Sequence, residues 1–245
     1  MPLCVAMVVL GFLAQQGTTP PATQATPQTS AAPKYLIRLK GNVGDTYEYD
    51  SDLSINFVGG GPSMSVKSKL VDTLARVNEE QQDWESVLTL RETSATPELD
   101  SAIKVFQFLN GKKVTSVKND RGRVLKIVLD DLEMPSRGTG DVNFSKEEVA
   151  VGDSWDAPVE AHGRVFQIRY WLMKVFNDRG RDTFLIQGWF HPDQEAKTIE
   201  PTTFWVDVAT GHTVYISGAT QVTSKGKTLE MRQRLELKKV TFAAG

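Results

Sequence analysis

The chain has 245 residues, with 28 Lys and Arg against 30 Asp and Glu and a formal net charge of −2. That balance excludes the basic surplus of a nucleic-acid binder and the polybasic strip of a membrane-surface protein. The lone cysteine, Cys4, leaves the rest of the chain without disulfides or Cys-based metal sites.

No Asp, Glu, Lys, Arg or His precedes Lys34. Within this stretch, Leu3 to Ala14 ("LCVAMVVLGFLA") is an apolar run too short for a bilayer-crossing helix, which needs about 20 residues. It has the length of the apolar part of an export signal, although no Lys or Arg precedes it. Residues 1–17 therefore read as a signal-like segment, and no transmembrane span is expected in the mature chain. Cys4 follows Met1-Pro2-Leu3 rather than the small residues a lipid-attachment site requires, so it reads as one more apolar residue. Residues 18–33, rich in Thr, Pro, Ala and Gln, cannot bury a core and read as a disordered tether. The folded body is expected over 34–245, and the protein is expected to be exported to the periplasm, envelope or exterior.

Period-two alternation dominates that body. In "TYEYDSDLSINF", Tyr47, Tyr49, Leu53, Ile55 and Phe57 share one face and acidic or small polar residues the other. "TLEMRQRLELK" repeats the pattern with Leu229, Met231, Leu235 and Leu237. Such strands belong to an antiparallel sheet wet on one side. Gly163 to Phe176 predicts a long strand with Phe166, Ile168, Tyr170 and Leu172 on one face. Its other face starts polar and turns apolar at Trp171, Met173 and Val175, so both sides are expected to be covered there. Gly-containing turns punctuate the pattern, including "NDRGR" at Asn119 to Arg123 and again at Asn177 to Arg181. From Thr96 to Gly111 a capped helix with Leu99, Ala102, Ile103 and Phe106 on one face competes with a strand reading.

"VGDTY" (Val43 to Tyr47) and "VGDSW" (Val151 to Trp155) form an echo 108 residues apart at their glycines. "LARVNEEQQDWESVLTL" and later "LMKVFNDRGRDTFLIQGW" read as strand, turn, strand; "VKNDRG" and later "VDVATG" each precede another strand. The order agrees in both halves, which raises either a two-half pseudo-repeat or the reuse of a good turn.

With "DVATGHTVYISG" and the final amphipathic strand, "VGDSW" resembles a group of exported bacterial proteins of unknown function with a LolA-like, lipoprotein-carrier-like architecture. The resemblance implies a mainly β fold: a curved antiparallel sheet, an incomplete barrel, with one or two helices. It implies an envelope location and an apolar ligand in the concavity, and brings no catalytic residues.

Catalytic and cofactor motifs fail one by one. Ser101-x-x-Lys104 and Ser224-x-x-Lys227 lack the partner motifs of penicillin-recognising enzymes. Ser154 lacks the second glycine of a nucleophile elbow. The stretch from Asp141 offers Lys146 and Gly152 where a calcium loop needs Gly and Glu. His162, His191 and His212 fit no metal-ligand spacing, and His191, Asp193 and Glu195 read as a solvated loop. Gly59 to Gly61 matches no dinucleotide fingerprint. No cofactor or metal is expected, and the protein is not expected to be an enzyme. The aromatics of the second half are the better lead. Phe166, Tyr170, Trp171, Trp189 and Phe204 are expected to line an apolar pocket for a lipid or another apolar ligand, against the alternative of an ordinary core. The rival function is a structural or protein-interaction module that meets another envelope protein.

Overall fold

A computed structural model describes residues 32–60, 63–78, 83–96, 112–129, 131–133, 142–161, 164–190, 196–224 and 227–243. Among them all regular structure is β. The first half comprises β1 (Lys34–Tyr35), β2 (Thr46–Val58), β3 (Met64–Asn78), β4 (Asp83–Thr96), β5 (Lys113–Asn119), β6 (Val124–Leu129) and β7 (Leu132–Glu133). The second comprises β8 (Val149–Ala150), β9 (Ser154–Ala161), β10 (Arg164–Asp178), β11 (Arg181–Phe190), β12 (Ala196–Asp207), β13 (Thr213–Ser224) and β14 (Lys227–Thr241). The helix-or-strand stretch 97–111 and the residues His162, His191, Asp193 and Glu195 lie outside the described residues.

Twelve strands form one antiparallel sheet in the order β7-β6-β5-β4-β3-β2-β14-β13-β12-β11-β10-β9. Each half is a six-strand meander, and β14 joins them by pairing along β2. The sheet is curved but does not close, because β7 and β9 stand at its two ends. The two strands with the clearest alternation in the sequence are the ones at the seam. Met231 faces Ile55 and Leu229 faces Phe57, so two oily faces continue each other across the join.

The echo is a structural repeat. Gly44 and Gly152 take the same left-handed φ, 95° and 96°, which a side chain resists. Gly44 N–H donates to Leu74 O and Gly152 N–H to Leu172 O, both at 2.7 Å. Leu74 N–H returns a bond to Asp45 O at 2.9 Å, and Leu172 N–H returns one to Asp153 O at 3.0 Å. The Asp45 carboxylate accepts from Asn42 N–H and that of Asp153 from Ala150 N–H, each at 2.8 Å. The Gly-Asp pair thus pins the chain entering each meander to the second strand of that meander.

The segments leading into the two Gly-Asp turns cross over. The first leader, from Lys34 to Lys40, pairs with the second through β1 and β8. Its Lys40 N–H donates to Thr210 O in the β12–β13 turn at 2.7 Å, and its Arg38 carbonyl packs where a Cβ on Gly211 would go. The second leader does the converse. Phe144 N–H donates to Arg121 O in the β5–β6 turn at 2.8 Å, and the Val142 carbonyl sits 2.5 Å from a Cβ placed on Gly122. Arg38 ties both together, with an ion pair to Asp120 at 2.8 Å and hydrogen bonds to Ser145 O and Lys146 O.

One face of the second meander lies under these leaders. Ile37, Leu39, Val142, Phe144 and Val149 pack on Ile168, Tyr170, Leu172, Phe184, Ile186, Phe204 and Val206, all buried. Each such side chain contributes about 1.5–3 kcal/mol through removal from water. This is the covered face; the opposite one is the open face. β10 departs from simple alternation at a bulge between Leu172 and Lys174. The extra residue, Met173, points outward, Val175 returns to the covered face, and Phe176 takes the open one. The sequence expectation that Trp171, Met173 and Val175 share a face is corrected by that bulge.

Candidate functional site

The five aromatics singled out in the sequence do not meet in one pocket. Tyr170 and Phe204 are buried on the covered face, their ring centroids 6.1 Å apart, and Trp155 stacks on Tyr170 at 5.6 Å. The leaders pack against this group, so it is filled by the chain's own side chains. Trp171 and Trp189 lie on the open face, edge to face at 6.3 Å. Phe166 sits on β10 opposite Val159 of β9. The physical reason for the division is the pleat: Tyr170 and Trp171 are consecutive and must point to opposite faces.

The open face carries three more aromatics outside those five. Trp205 is bracketed by Phe176, edge to face at 5.3 Å, and by Tyr215, tilted at 4.8 Å. Register explains the grouping. Leu185 of β11, Trp205 of β12, Tyr215 of β13 and Glu236 of β14 stand abreast. Leu185 is also abreast of Lys174, which lies between Trp171 and Phe176 on β10. All five open-face rings are half-buried, flanked rather than covered. The Lys174 ammonium sits 4.9 Å from the Phe176 ring centre and the Arg234 guanidinium 5.6 Å from that of Tyr215. The missed signal was the bulge, which brings Phe176 to the face of Trp205.

A groove of about 550 Å³ opens beside Trp205 and Tyr215, walled by Arg179, Arg181, Arg234, Lys238 and Lys239 together with Asp178 and Glu236. Glu236 is the hub, 3.0 Å from Lys238 Nζ, 2.9 Å from Arg234 Nη2 and 3.6 Å from Arg179 Nη1. The hydrogen bond from Lys238, with Arg234 adding to it, holds the Glu236 carboxyl below the ordinary carboxylate range.

A second groove, about 890 Å³, follows residues 143–158 and is lined by Arg121, Arg123, Glu147, Glu148, Asp153, Ser154 and Asp156 among others. It is polar, but no histidine lines it, and Ser154, the first residue of β9, is exposed. His212 stacks on Tyr47 at 4.1 Å. Burial, then the carboxylates of Asp45, Asp207 and Asp72, push the Tyr47 phenol far above its ordinary value, so it stays protonated. Among the described residues no group of three or more His, Cys, Asp or Glu is placed to hold a metal ion.

No family model matches the chain, and no curated protein does either. Solved structures do. A structure described as showing lipid–protein interactions in lipovitellin superposes with a TM-score of 0.52 at 10% identity, over 84% of this chain. The fold is similar to that of lipovitellin. The chain spans only about a quarter of the lipovitellin chain, 26%, so the likeness concerns one part of that protein. A DUF1329 family protein from Desulfovibrio piger aligns at 12% identity and a TM-score of 0.30, over 83% of this chain and 87% of its own. A protein described as an outer membrane lipoprotein-sorting domain from Vibrio parahaemolyticus aligns at 10% identity and a TM-score of 0.28, with the same coverage.

Proposed function

We propose that the protein is an exported, non-catalytic envelope protein whose folded body, residues 34–245, follows a signal and a tether and binds an apolar ligand such as an acyl chain. The observation that carries this reading is the open face of β10 to β13, where half-buried Trp205 and Tyr215 line a groove of about 550 Å³, Phe176 packs on Trp205, and the Trp171–Trp189 pair lies on the same face. A volume of that size is in the range of small-ligand sites. The fold likeness to lipovitellin, whose structure is described by its lipid–protein interactions, supports the reading. The covered face around Tyr170 and Phe204 is occupied by the leaders, so the ligand is assigned to the open face.

The rival reading, a module that adds a strand to another envelope protein, finds little support at the sheet ends. β7 has two residues. β9 contains Pro158, which offers no N–H to an incoming strand, and the Pro158 carbonyl already receives the Asn143 side chain at 3.4 Å. Native mass spectrometry of protein purified from its own cells tests the proposal. Acyl-lipid adducts that exchange with added lipid are expected; a bare chain that takes up no added lipid would overturn it.

A further inference from the structure

Resting on the apolar-ligand reading above, we propose that the groove at Glu236 is the headgroup site of an anionic amphiphile, with a phosphate monoester at its head and its chain on the aromatic strip. The charges are arranged in depth. Glu236 is recessed, 19% exposed on its side chain, while Arg179, Arg234 and Lys238 around it are 75%, 57% and 44% exposed. Arg181 and Lys239 in the same walls have acids of their own, Asp207 at 3.7 Å and Glu48 at 3.1 Å, and Asp50 lies 3.6 Å from Lys238. What faces outward is a rim of three cations over the recessed Glu236 carboxylate, with Asp178 also in the wall. Glu236 has two oxygens, and two guanidiniums with one ammonium bring thirteen N–H donors between them. Most of those donors are left for an incoming anion.

Three convergent cations match a doubly charged head better than a single carboxylate, which one Arg fork satisfies. Arg234 is held in place from below, since its guanidinium lies against the Tyr215 ring. Directly beside that ring stands Trp205, then Phe176, so a chain leaving the head meets apolar surface at once.

The turn geometry points the same way. β10 and β11 are joined by Arg179 and Gly180, with φ of 51° and 84°. Two central residues with positive φ call for Asn-Gly, not Arg-Gly, because a long side chain with a Cβ is strained there. The identical "NDRGR" string between β5 and β6 avoids the strain: Arg121 is not left-handed, and the Asn119 side chain bonds to Arg121 N–H and Arg123 N–H. At the groove the chain tolerates a strained arginine, and its guanidinium is the outermost of the three cations.

The test measures binding of myristoyl lysophosphatidic acid, myristoyl lysophosphatidylcholine and inorganic phosphate, by tryptophan fluorescence below the lipids' critical micelle concentrations. The phosphate-headed lipid is expected to bind about tenfold more tightly than the choline-headed one. Arg179→Asn and Arg234→Gln should each remove most of that preference while leaving the weaker binding in place. Arg179→Asn is the sharper variant, since Asn suits the turn and melting should stay level or rise as the preference disappears. Equal binding of both lipids by the wild-type protein overturns the headgroup site and leaves the apolar-ligand reading standing. Binding of neither overturns both. An Arg179→Asn protein that keeps the full preference, or inorganic phosphate that displaces the lipid at equal concentration, overturns the proposal as stated.

Discussion

The two meanders close their Gly-Asp turns with the same backbone bonds, yet they put different chemistry on the sheet. The covered face of the first half is interrupted by small polar groups: Ser68 and Ser86 are buried, and Ser86 bonds to Ser116 at 3.1 Å. Its open face carries ion pairs, such as Arg76 with Glu85 at 3.1 Å and Lys67 with Asp52 at 3.9 Å. The second half has aromatics on both faces, packed under the leaders on one side and presented on the other. The shared part is scaffold, and the halves differ at the aromatic strip where the ligand is proposed to bind.

Substitutions on the two faces of β10 to β12 should break this comparison most visibly. Phe204→Ala, within the filled face, is expected to cost about 3–5 kcal/mol in denaturant unfolding. Trp171→Ala and Trp205→Ala, on the open face, should cost about 1 kcal/mol or less because flanked, half-exposed side chains surrender less buried area. A comparable loss on both faces would mean that the open strip is core after all.

Next in size is the crossing of the leaders. Gly211 has φ of 70° and the Arg38 carbonyl occupies the place of its missing Cβ, so Gly211→Ala should destabilise by about 2–3 kcal/mol. Gly152 has the same hand of φ but open space around it. Gly152→Ala should cost only the conformational part, about 1 kcal/mol. Thermal melts of the two variants check the gap, and equal losses would show that the leader does not press on the turn.

The two aspartates sharpen the comparison further. Asp45 is buried and also accepts from Ala243 N–H at 2.9 Å, whereas Asp153 is exposed and, among the described residues, its carboxylate accepts from Ala150 N–H alone. Asp45→Ala should therefore cost about 1–3 kcal/mol and Asp153→Ala about 0.5–1 kcal/mol.

The smallest effect concerns Glu236. Its folded pKa is depressed, so its contact with Lys238 stabilises above the unfolded carboxylate range and that contribution fades as pH falls through the folded value. Lys238→Met should move the Glu236 titration, followed by NMR, back upward. No movement would show that Lys238 is not the main cause of the shift.

Much of the architecture was legible because a half-buried antiparallel sheet writes its pleat into the sequence. Tyr47 to Phe57 and Leu229 to Leu237 alternate cleanly, and they are the two strands at the seam. The Gly-Asp echo was legible for a similar reason, since a left-handed residue followed by a capping carboxylate leaves few options. The site was less legible. Sequence proximity grouped Tyr170 with Trp171, although the pleat separates neighbours, and the bulge at Met173 could not be counted from alternation alone. Tyr215 entered the strip through pairing with Trp205, a register fixed by tertiary structure.

The most direct measurement uses an acyl chain brominated near its middle as a contact quencher of tryptophan fluorescence, in variants that each keep one tryptophan. Quenching is predicted for Trp205 and for Trp171 or Trp189, with Trp84 and Trp155, which pack toward the covered face, left bright. Quenching confined to Trp84 and Trp155 would place the ligand under the leaders and contradict the account.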